Sequence, residues 1–456
     1  MEHVTQAAEK GNASAQLELG NRCFDGEKFT DAVQWYRKAS EQGNARGQAK
    51  LGWCYYVGAG VTQDYAEAAC WIRKAAEKGD AQAQFNLARR CYDRGLGVPN
   101  DKQEVVRWYR KAVAQGHSYA QCNLGVCYYK GIGVPQDYAE AVKLYRLSAA
   151  QDNEFAQVNL GTCYYKGHGV TKDYAEATTW YMLAAARGDP EAQCMLGCIY
   201  QQGLGVQTNM AQAVKWYTKA AEGGNVDAMD NLGWHYTNGA GVPKDMAQAV
   251  KWYKMGAERG NRSAMNGLGS CYEYGNGVAK DLSKALELFR AAAALGSAGA
   301  RHNLAYMYEH GWGVEKDKAV AFMWYRRAAE QGGADEQYAL GVCYQMAIGV
   351  ERDFAEAVKW YKLAADQGHV RGIGQYGWCL VTGNGIAKNE REGVSWILRA
   401  VAMGDASSEG DLGECCEKGT GVPKDEAKAL ELYRKSAAKG DYGAKQWLKE
   451  REKKGQ

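Results

Sequence analysis

A leucine-glycine pair returns every 36 residues along most of this chain, and that period constrains the fold more than any other feature of the sequence. An aromatic pair, most often Trp-Tyr, follows most copies at a distance of 20 residues. Self-similarity at one fixed period of roughly 20–50 residues is typical of repeat proteins, in which each unit packs only against its neighbours. The leucine-glycine pairs begin at Leu51, Leu124, Leu160, Leu196, Leu232, Leu268, Leu340 and Leu412. Between Trp35 and Leu432 twelve units can be counted, which predicts one array over residues 1–456 rather than several domains.

The period is irregular near the start and changes character at both ends. The first unit is about four residues short, and the third carries one extra residue between Leu87 and Cys91. Residues 1–10 resemble the end of a second helix, so we expect a partial N-terminal helix and an array that begins inside a unit. Residues 441–456 predict a lone first helix that turns polar and caps the array.

Each unit predicts two helices joined by a glycine turn. In residues 117–152, apolar side chains recur at helical spacing over residues 120–128 and again over residues 141–149. Gly131 is expected to end the first helix, because glycine adopts left-handed backbone angles at little cost. Asp137 is expected to cap the second helix, and an aspartate or asparagine recurs at this position in most units.

Composition narrows the class of protein. The chain has 456 residues, 56 of them glycine and only five proline, and its formal net charge is +3. No apolar run approaches the ~20 residues that a membrane helix requires. A near-neutral charge gives little attraction to nucleic acid or to an anionic membrane. We therefore expect a folded chain with no membrane insertion and no nucleic acid partner.

Residues 192–224 carry the repeated pattern almost in full, with Leu196-Gly197, Trp216-Tyr217 and Gly224 in register. The one departure is Asn209, which stands where other units have the capping aspartate. The pattern resembles the Sel-1-like repeat, a longer relative of the tetratricopeptide repeat, and the resemblance covers essentially the whole chain. It implies an all-α fold, a right-handed α/α superhelical solenoid of about twelve 36-residue helix-turn-helix repeats. It also implies the usual role of that family, which is an adaptor or scaffold for protein complexes.

Half of the 14 cysteines occupy one register position, three residues after the repeated leucine. This position lies on the apolar face of the first helix, so we expect a buried stripe of free thiols rather than a metal site. The stripe consists of Cys54, Cys127, Cys163, Cys271, Cys343, Cys379 and Cys415. A disulfide-rich branch of the resembled family pairs cysteines at two other positions, and this chain has Ala or Ser at the first of them. We therefore expect a reducing compartment, the cytoplasm, with the periplasm or a lumen as the alternative if a leader was removed.

No catalytic constellation emerges from the spacing of the polar residues. The Gly-x-Gly-Val loops lack the third glycine and the preceding strand of a nucleotide-binding fingerprint, so we interpret them as turns. The seven histidines are scattered, with no Ser/His/Asp or metal-ligand spacing. The sequence thus predicts no catalytic residue, no cofactor and no metal, and a protein that is not an enzyme. Trp312, in the loop Gly311-Trp312-Gly313, is either tucked over a neighbour or exposed at the loop edge.

The second and fifth positions after the repeated leucine vary between units, whereas the packing positions are nearly constant. In a solenoid of this type the first helices line the concave surface, and these two positions point inward. Exposed aromatic side chains are frequent anchors of protein interfaces. The candidate partner-binding residues are Trp53, Tyr56, Tyr129, Tyr165, Trp234, Tyr306 and Trp378. The alternative is that these aromatics only pack between first helices. The fifth position also changes from tyrosine in the first half to Glu and Gln in the second, which indicates an acidic later groove.

The favoured hypothesis is a monomeric, non-enzymatic scaffold that binds a peptide or protein segment in its concave groove. An RNA-binding helical repeat protein is one alternative, although the glutamates of the inner series oppose it. A cell-envelope hydrolase-like repeat protein is the other, although no nucleophile and base are apparent in the sequence.

Overall fold

The structure, a computed structural model, describes residues 2–453, and these form helices joined by turns with no strand among them. Contacts group the chain into two compact units, Met1–Asn225 and Val226–Gln456. Within each unit every helix packs on the helices that precede and follow it in the chain. The predicted all-α fold of about twelve helix-turn-helix repeats is confirmed, whereas a single array over residues 1–456 stays a prediction.

Even-numbered helices are the first helices of the repeats, and odd-numbered helices are the second helices. The first unit contains α1 (Glu2–Glu9), α2 (Ala13–Asp25), α3 (Phe29–Glu41), α4 (Ala45–Val57), α5 (Tyr65–Glu77), α6 (Ala81–Asn86), a π-helical turn (Leu87–Tyr92), α7 (Lys102–Ala114), α8 (Ser118–Lys130), α9 (Tyr138–Ala149), α10 (Glu154–Lys166), α11 (Tyr174–Ala186), α12 (Pro190–Gln202) and α13 (Met210–Glu222).

The second unit has the same alternation of first and second helices. It contains α14 (Val226–Asn238), α15 (Met246–Glu258), α16 (Arg262–Tyr274), α17 (Leu282–Ala294), α18 (Ala298–His310), α19 (Lys318–Ala329), α20 (Ala334–Met346), α21 (Phe354–Asp366), α22 (Val370–Thr382), α23 (Glu390–Ala402), α24 (Ala406–Lys418), α25 (Glu426–Ala438) and α26 (Tyr442–Lys453).

The predicted caps and turns are confirmed. The side chain of Asp137 accepts hydrogen bonds from the backbone N–H groups of Ala139 and Glu140, at 2.9 and 3.0 Å. Gly169 has a φ of +71°, and a Cβ there would lie 2.3 Å from the carbonyl oxygen of Tyr138. The loop can therefore reach the preceding second helix only with glycine at this position.

In most repeats the core contains the repeated leucine, a cysteine three residues later and the tyrosine of the second helix. All seven cysteines predicted to form the stripe are buried and free, as expected. Gly197 packs directly on the ring of Tyr217, because a Cβ at residue 197 would lie 2.5 Å from the Cε1 of that ring. The glycine of the leucine-glycine pair thus allows the two helices of one repeat to cross at close range.

The extra residue of the third repeat is absorbed within its first helix. The helix runs as α6 to Asn86 and then widens into the π-helical turn Leu87–Tyr92. A π turn holds one residue more than an α turn. Leu87 and Cys91 therefore both stay buried, although Cys91 is the fourth residue after the leucine and not the third.

Helices α1 and α26 lie at the two ends of the described residues, while a partial N-terminal helix over residues 1–10 and a capping role for residues 441–456 stay predictions. Residues 454–456 of the predicted capping helix lie outside the described residues, as does Met1. Among the helices of residues 2–453, none combines the length and apolar character needed to cross a membrane.

Candidate partner-binding surface

Cavities lie between consecutive first helices in both units, at the register positions predicted to face a partner. In the first unit, a cavity of about 480 Å³ is lined by residues of α2, α4 and α6, among them Asn21, Lys50 and Trp53. Two cavities of the second unit contain Tyr306 and Trp378 in their linings. The first helices therefore present concave, accessible surface within each unit.

Trp53 and Tyr56 form a stacked pair beneath an arginine of the next first helix. Their ring centroids are 5.5 Å apart with an interplanar angle of 17°. The guanidinium carbon of Arg90 lies 4.7 Å from the centroid of each ring. The Nε of Arg90 is buried without a hydrogen-bond partner. The pair therefore packs against the next first helix, and Trp53 also lines the cavity that contains Asn21 and Lys50.

Tyr129 and Tyr165 are half-buried on the first helices α8 and α10. The hydroxyl of Tyr129 lies 2.8 Å from Nδ1 of His168, a residue of the Gly-x-Gly loop of the next repeat. Tyr165 contacts the ring of Tyr174 edge-on, with centroids 5.4 Å apart. Burial raises the pKa of both phenols, so both stay protonated donors at neutral pH.

Trp234 and Trp378 lie on first helices of the second unit. Trp234 is the most open of the seven predicted residues, with 43% of its surface exposed, and it meets His235 edge-on at 5.1 Å. Trp378 is half-buried and lines a cavity of about 220 Å³ together with Val381 and Glu414. The seven predicted residues therefore differ in their surroundings rather than forming a uniform stripe.

Tyr306 lines a cavity of the second unit with a volume of about 540 Å³. His310 stacks on Tyr306 with centroids 4.0 Å apart, and Trp312 meets the same ring edge-on at 5.2 Å. Of the two placements predicted for Trp312, the tucked one is observed. We call this cavity the Tyr306 pocket; its lining includes His302, Tyr306, Glu309, Asp335, Tyr338, Val342, His369 and Arg371.

Polar side chains of the Tyr306 pocket are partly paired with one another. The hydroxyl of Tyr325 donates to Glu309 at 2.9 Å, and Nε2 of His369 lies 3.1 Å from the carboxylate of Asp335. The Nδ1 atom of His302 is buried without a hydrogen-bond partner. Burial lowers the pKa of His302 and His369, so both rings are neutral near pH 7.

The predicted change from tyrosine to Glu and Gln at the fifth position has a packing cause. In four repeats the side chain there accepts a hydrogen bond from the tyrosine hydroxyl of the same repeat, 16 residues later. This contact joins Tyr217 to Gln201, Tyr325 to Glu309, Tyr361 to Gln345 and Tyr433 to Glu417. Glu309 and Glu417 are therefore also acceptors for buried hydroxyls, a role that their surface prediction missed.

A ladder of buried glutamines was not predicted from the sequence. The side-chain amides of Gln48, Gln84 and Gln193 each donate to a carbonyl oxygen eight residues earlier, at the end of the preceding second helix. These carbonyls lie in the last turn of their helix, and each also accepts a hydrogen bond from the N–H of the turn glycine three residues later. The signal was available, because glutamine recurs three residues before the repeated leucine at positions 48, 84, 121, 157, 193 and 337.

No grouping of three or more His, Cys, Asp or Glu side chains within residues 2–453 is arranged to hold a metal ion. The chemistry that these surfaces offer is recognition, by aromatic faces, hydrogen-bond donors and carboxylates lying between first helices.

The repeats of this chain match a known repeat family. A sequence profile of the Sel1 repeat matches twelve consecutive segments, residues 13–44, 45–80, 81–117, 118–153, 155–189, 190–225, 226–261, 262–297, 298–333, 337–369, 373–405 and 406–441. Comparison with curated proteins gave no match.

Two crystal structures of bacterial proteins are similar to this chain. One is c5321, described as a protective antigen present in uropathogenic Escherichia coli strains displaying an SLR fold; it is 36% identical, with a TM-score of 0.68, over 90% of this chain and 88% of that chain. The other is a Sel1 repeat protein from Oxalobacter formigenes, 31% identical, with a TM-score of 0.56, over 67% of this chain and 90% of that chain.

Proposed function

This chain belongs to the Sel1 repeat family, and on that premise we propose that it is a scaffold that binds a peptide or an extended protein segment against its first helices. Repeats of this type generally mediate protein–protein interaction, and the family is generally non-enzymatic. The proposal for this chain is narrower, because it assigns the binding to the cavities between first helices and to the aromatic residues that line them.

One observation carries the proposal. Residues at the second register position vary between repeats while the core positions of the same helices hardly vary, and the second-position residues that line cavities are Trp53, Tyr306, Val342, Trp378 and Glu414. A surface that only closed the fold would be as uniform as the core, since every repeat packs in the same way. Aromatic anchors in cavities of several hundred Å³ are typical of sites that hold single side chains of a partner.

The experiment uses an array of random dodecapeptides, acetylated and amidated at their ends, probed with the labelled full chain. The test variant is Trp53→Ala/Tyr129→Ala/Tyr165→Ala, which removes three predicted contacts of the first unit. The control is Leu147→Ala/Leu183→Ala, which removes two exposed apolar side chains from second helices of the same unit. We expect the test variant to lose at least tenfold in affinity for selected peptides, and the control to bind as the wild type does.

Circular dichroism of each variant separates lost binding from lost structure. Equal peptide binding by the triple variant and the wild type would place the contact surface of the first unit elsewhere. Binding of no peptide by the wild-type chain would refute the scaffold proposal in its peptide-binding form.

We further propose that the chain works as a monomer in a reducing compartment, with the cytoplasm as the favoured location. All fourteen cysteines are free thiols, and the seven of the stripe are buried where no second cysteine is bonded to them. Fractionation of the native cell, with light scattering of the purified chain, tests both statements. Recovery in a periplasmic or lumenal fraction would favour the alternative location.

A further inference from the structure

The first unit shows what an aromatic pair at the inner register positions accommodates. Trp53 and Tyr56 stack on each other, and the guanidinium of Arg90 lies 4.7 Å from both rings. An arginine held over two aromatic faces is a cation–π arrangement, favourable because the ring faces carry negative electrostatic potential. Here the cation is internal, supplied by the next first helix of the same chain.

The equivalent place in the second unit has no such internal cation. Arg90 precedes Cys91, and the residue in the same register one helix after Tyr306 is Val342, which precedes Cys343. Tyr306 and Val342 both line the Tyr306 pocket of about 540 Å³. The short side chain of Val342 thus leaves open the space that an arginine fills between α4 and the π turn.

Two carboxylates line this open space. Glu309 stands at the position that Tyr56 occupies in the first unit, and Asp335, with its side chain 85% exposed, lies at the start of α20. Glu336 is near enough to act electrostatically on His302. Among the described lining residues Arg371 is the one arginine or lysine, and it lies beside Tyr338.

We propose that the Tyr306 pocket receives a basic side chain, arginine or lysine, from the peptide that the scaffold binds. The cation lies beside the ring of Tyr306, on which His310 stacks, and Glu309 accepts its hydrogen bonds while keeping the hydroxyl of Tyr325 as a donor. This inference rests on the proposed function, and it gives the second unit a residue preference that the fold alone does not supply. Charged donors on a carboxylate form stronger hydrogen bonds than neutral donors, which favours a cation over a neutral guest.

An acidic guest is the competing occupant, since Arg371 and the histidine N–H groups are donors. It would have to lie among Glu309, Asp335 and Glu336, and like charges at short range disfavour binding. An acidic guest is therefore an outcome of the test rather than the proposal.

The test uses the same dodecapeptide array and then fluorescence anisotropy with the strongest peptide and its Arg/Lys→Gln counterpart. Two variants of the full chain address the pocket. Glu309→Gln removes the charge but keeps an acceptor for Tyr325, and Gln201 and Gln345 hold the same contact in their own repeats. Val342→Arg supplies the internal cation that Arg90 provides in the first unit.

Each variant has a control with the same change of charge on an exposed site of a second helix. Glu287→Gln on α17 matches the first variant, and Met323→Arg on α19 matches the second. We expect the array to select peptides with Arg or Lys. We expect Glu309→Gln to weaken the selected peptide about tenfold and Val342→Arg to weaken it at least tenfold, while both controls bind like the wild type.

Three results would overturn the inference. If the selected peptides have no basic side chain, or if they bind Glu309→Gln and Val342→Arg with wild-type affinity, the inference about the Tyr306 pocket is wrong and the scaffold proposal stands. Selection of acidic peptides that are lost with Arg371→Gln would assign the pocket to anions. Binding of no peptide at all would remove both proposals together.

Discussion

Tyr253 is held between two glycines, and filling one of them is a sharp test of how these repeats pack. A Cβ at Gly233 would lie 2.4 Å from Cδ1 and Cε1 of the Tyr253 ring. A Cβ at Gly267, on the next first helix, would lie 2.6 Å from Cε1 of the same ring. The ring is therefore clamped between two first helices and cannot move away from a methyl group at residue 233.

The magnitude of the effect follows from two opposing contributions. Alanine in a helix interior is favoured over glycine by about 1 kcal/mol. Overpacking a rigid core costs roughly 1–3 kcal/mol, and the clamped ring of Tyr253 places Gly233→Ala at the upper end. The net loss is about 2 kcal/mol, which lowers Tm by roughly 4–8 °C for a unit of this size.

Gly413→Ala is the matched control in the same unit. A Cβ there would lie 3.3 Å from Cε1 of Tyr433, close to ordinary contact, so the helix gain offsets the packing cost. Alanine already occupies this register position at Ala305, 20 residues before the buried Tyr325.

Thermal melts followed by circular dichroism measure Tm, and hydrogen exchange over α14 and α15 locates the change. We expect faster exchange there in Gly233→Ala and wild-type behaviour in Gly413→Ala. Equal Tm values for the two variants would refute the argument that the clamped ring sets the helix crossing.

Three further outcomes are expected. Glu417→Ala should lower the free energy of unfolding by about 1–3 kcal/mol, because the Tyr433 hydroxyl and the Trp447 N–H both lose their acceptor. Urea unfolding measures this loss, and Glu417→Gln, which keeps an acceptor, is the control. Burial and the nearby Asp405, Glu414 and Asp441 raise the pKa of Asp411 to about 8. The contribution of Asp411 to the free energy of unfolding is therefore complete below its unfolded pKa of ~4 and is lost as the pH rises to 8, by up to ~1.4 kcal/mol per pH unit. Asp411→Asn should flatten that part of the Tm–pH curve, and an unchanged slope would contradict the assignment. A thiol reagent at pH 8 should titrate at most the three cysteines that are not buried, Cys23, Cys70 and Cys198, and all fourteen only after unfolding, because burial raises the pKa of core thiols such as Cys54 to about 11.

The fold was predictable because each of its determinants is local and repeated. Leucine, glycine, cysteine and the capping aspartate recur at fixed spacing, so one interpreted repeat predicts the others. Burial of the cysteine stripe and the turn role of Gly169 followed from that spacing, and the structure confirms both.

The surroundings of the candidate site were not predictable in the same way, because they depend on contacts between repeats. The covering of Trp53 by Arg90 requires that the extra residue be absorbed in a π turn, which no propensity indicates. Glu309 was interpreted as an acidic surface residue, and its bond to Tyr325, 16 residues later, depends on how two helices cross. The glutamine ladder was visible as a period, but its carbonyl partners become apparent only when the preceding second helix is in place.

The π turn at Leu87–Tyr92 also indicates how the sequence of such a chain can evolve. One added residue is confined to a single turn, and the 36-residue period resumes with the next repeat, so the insertion leaves later repeats in register. The insertion distorts the backbone of one helical turn only. Its effect is on the surface, where Arg90 covers the rings of Trp53 and Tyr56. Insertions and deletions inside first helices are therefore a second route, beside substitution, by which this array can open or close individual pockets without altering its framework.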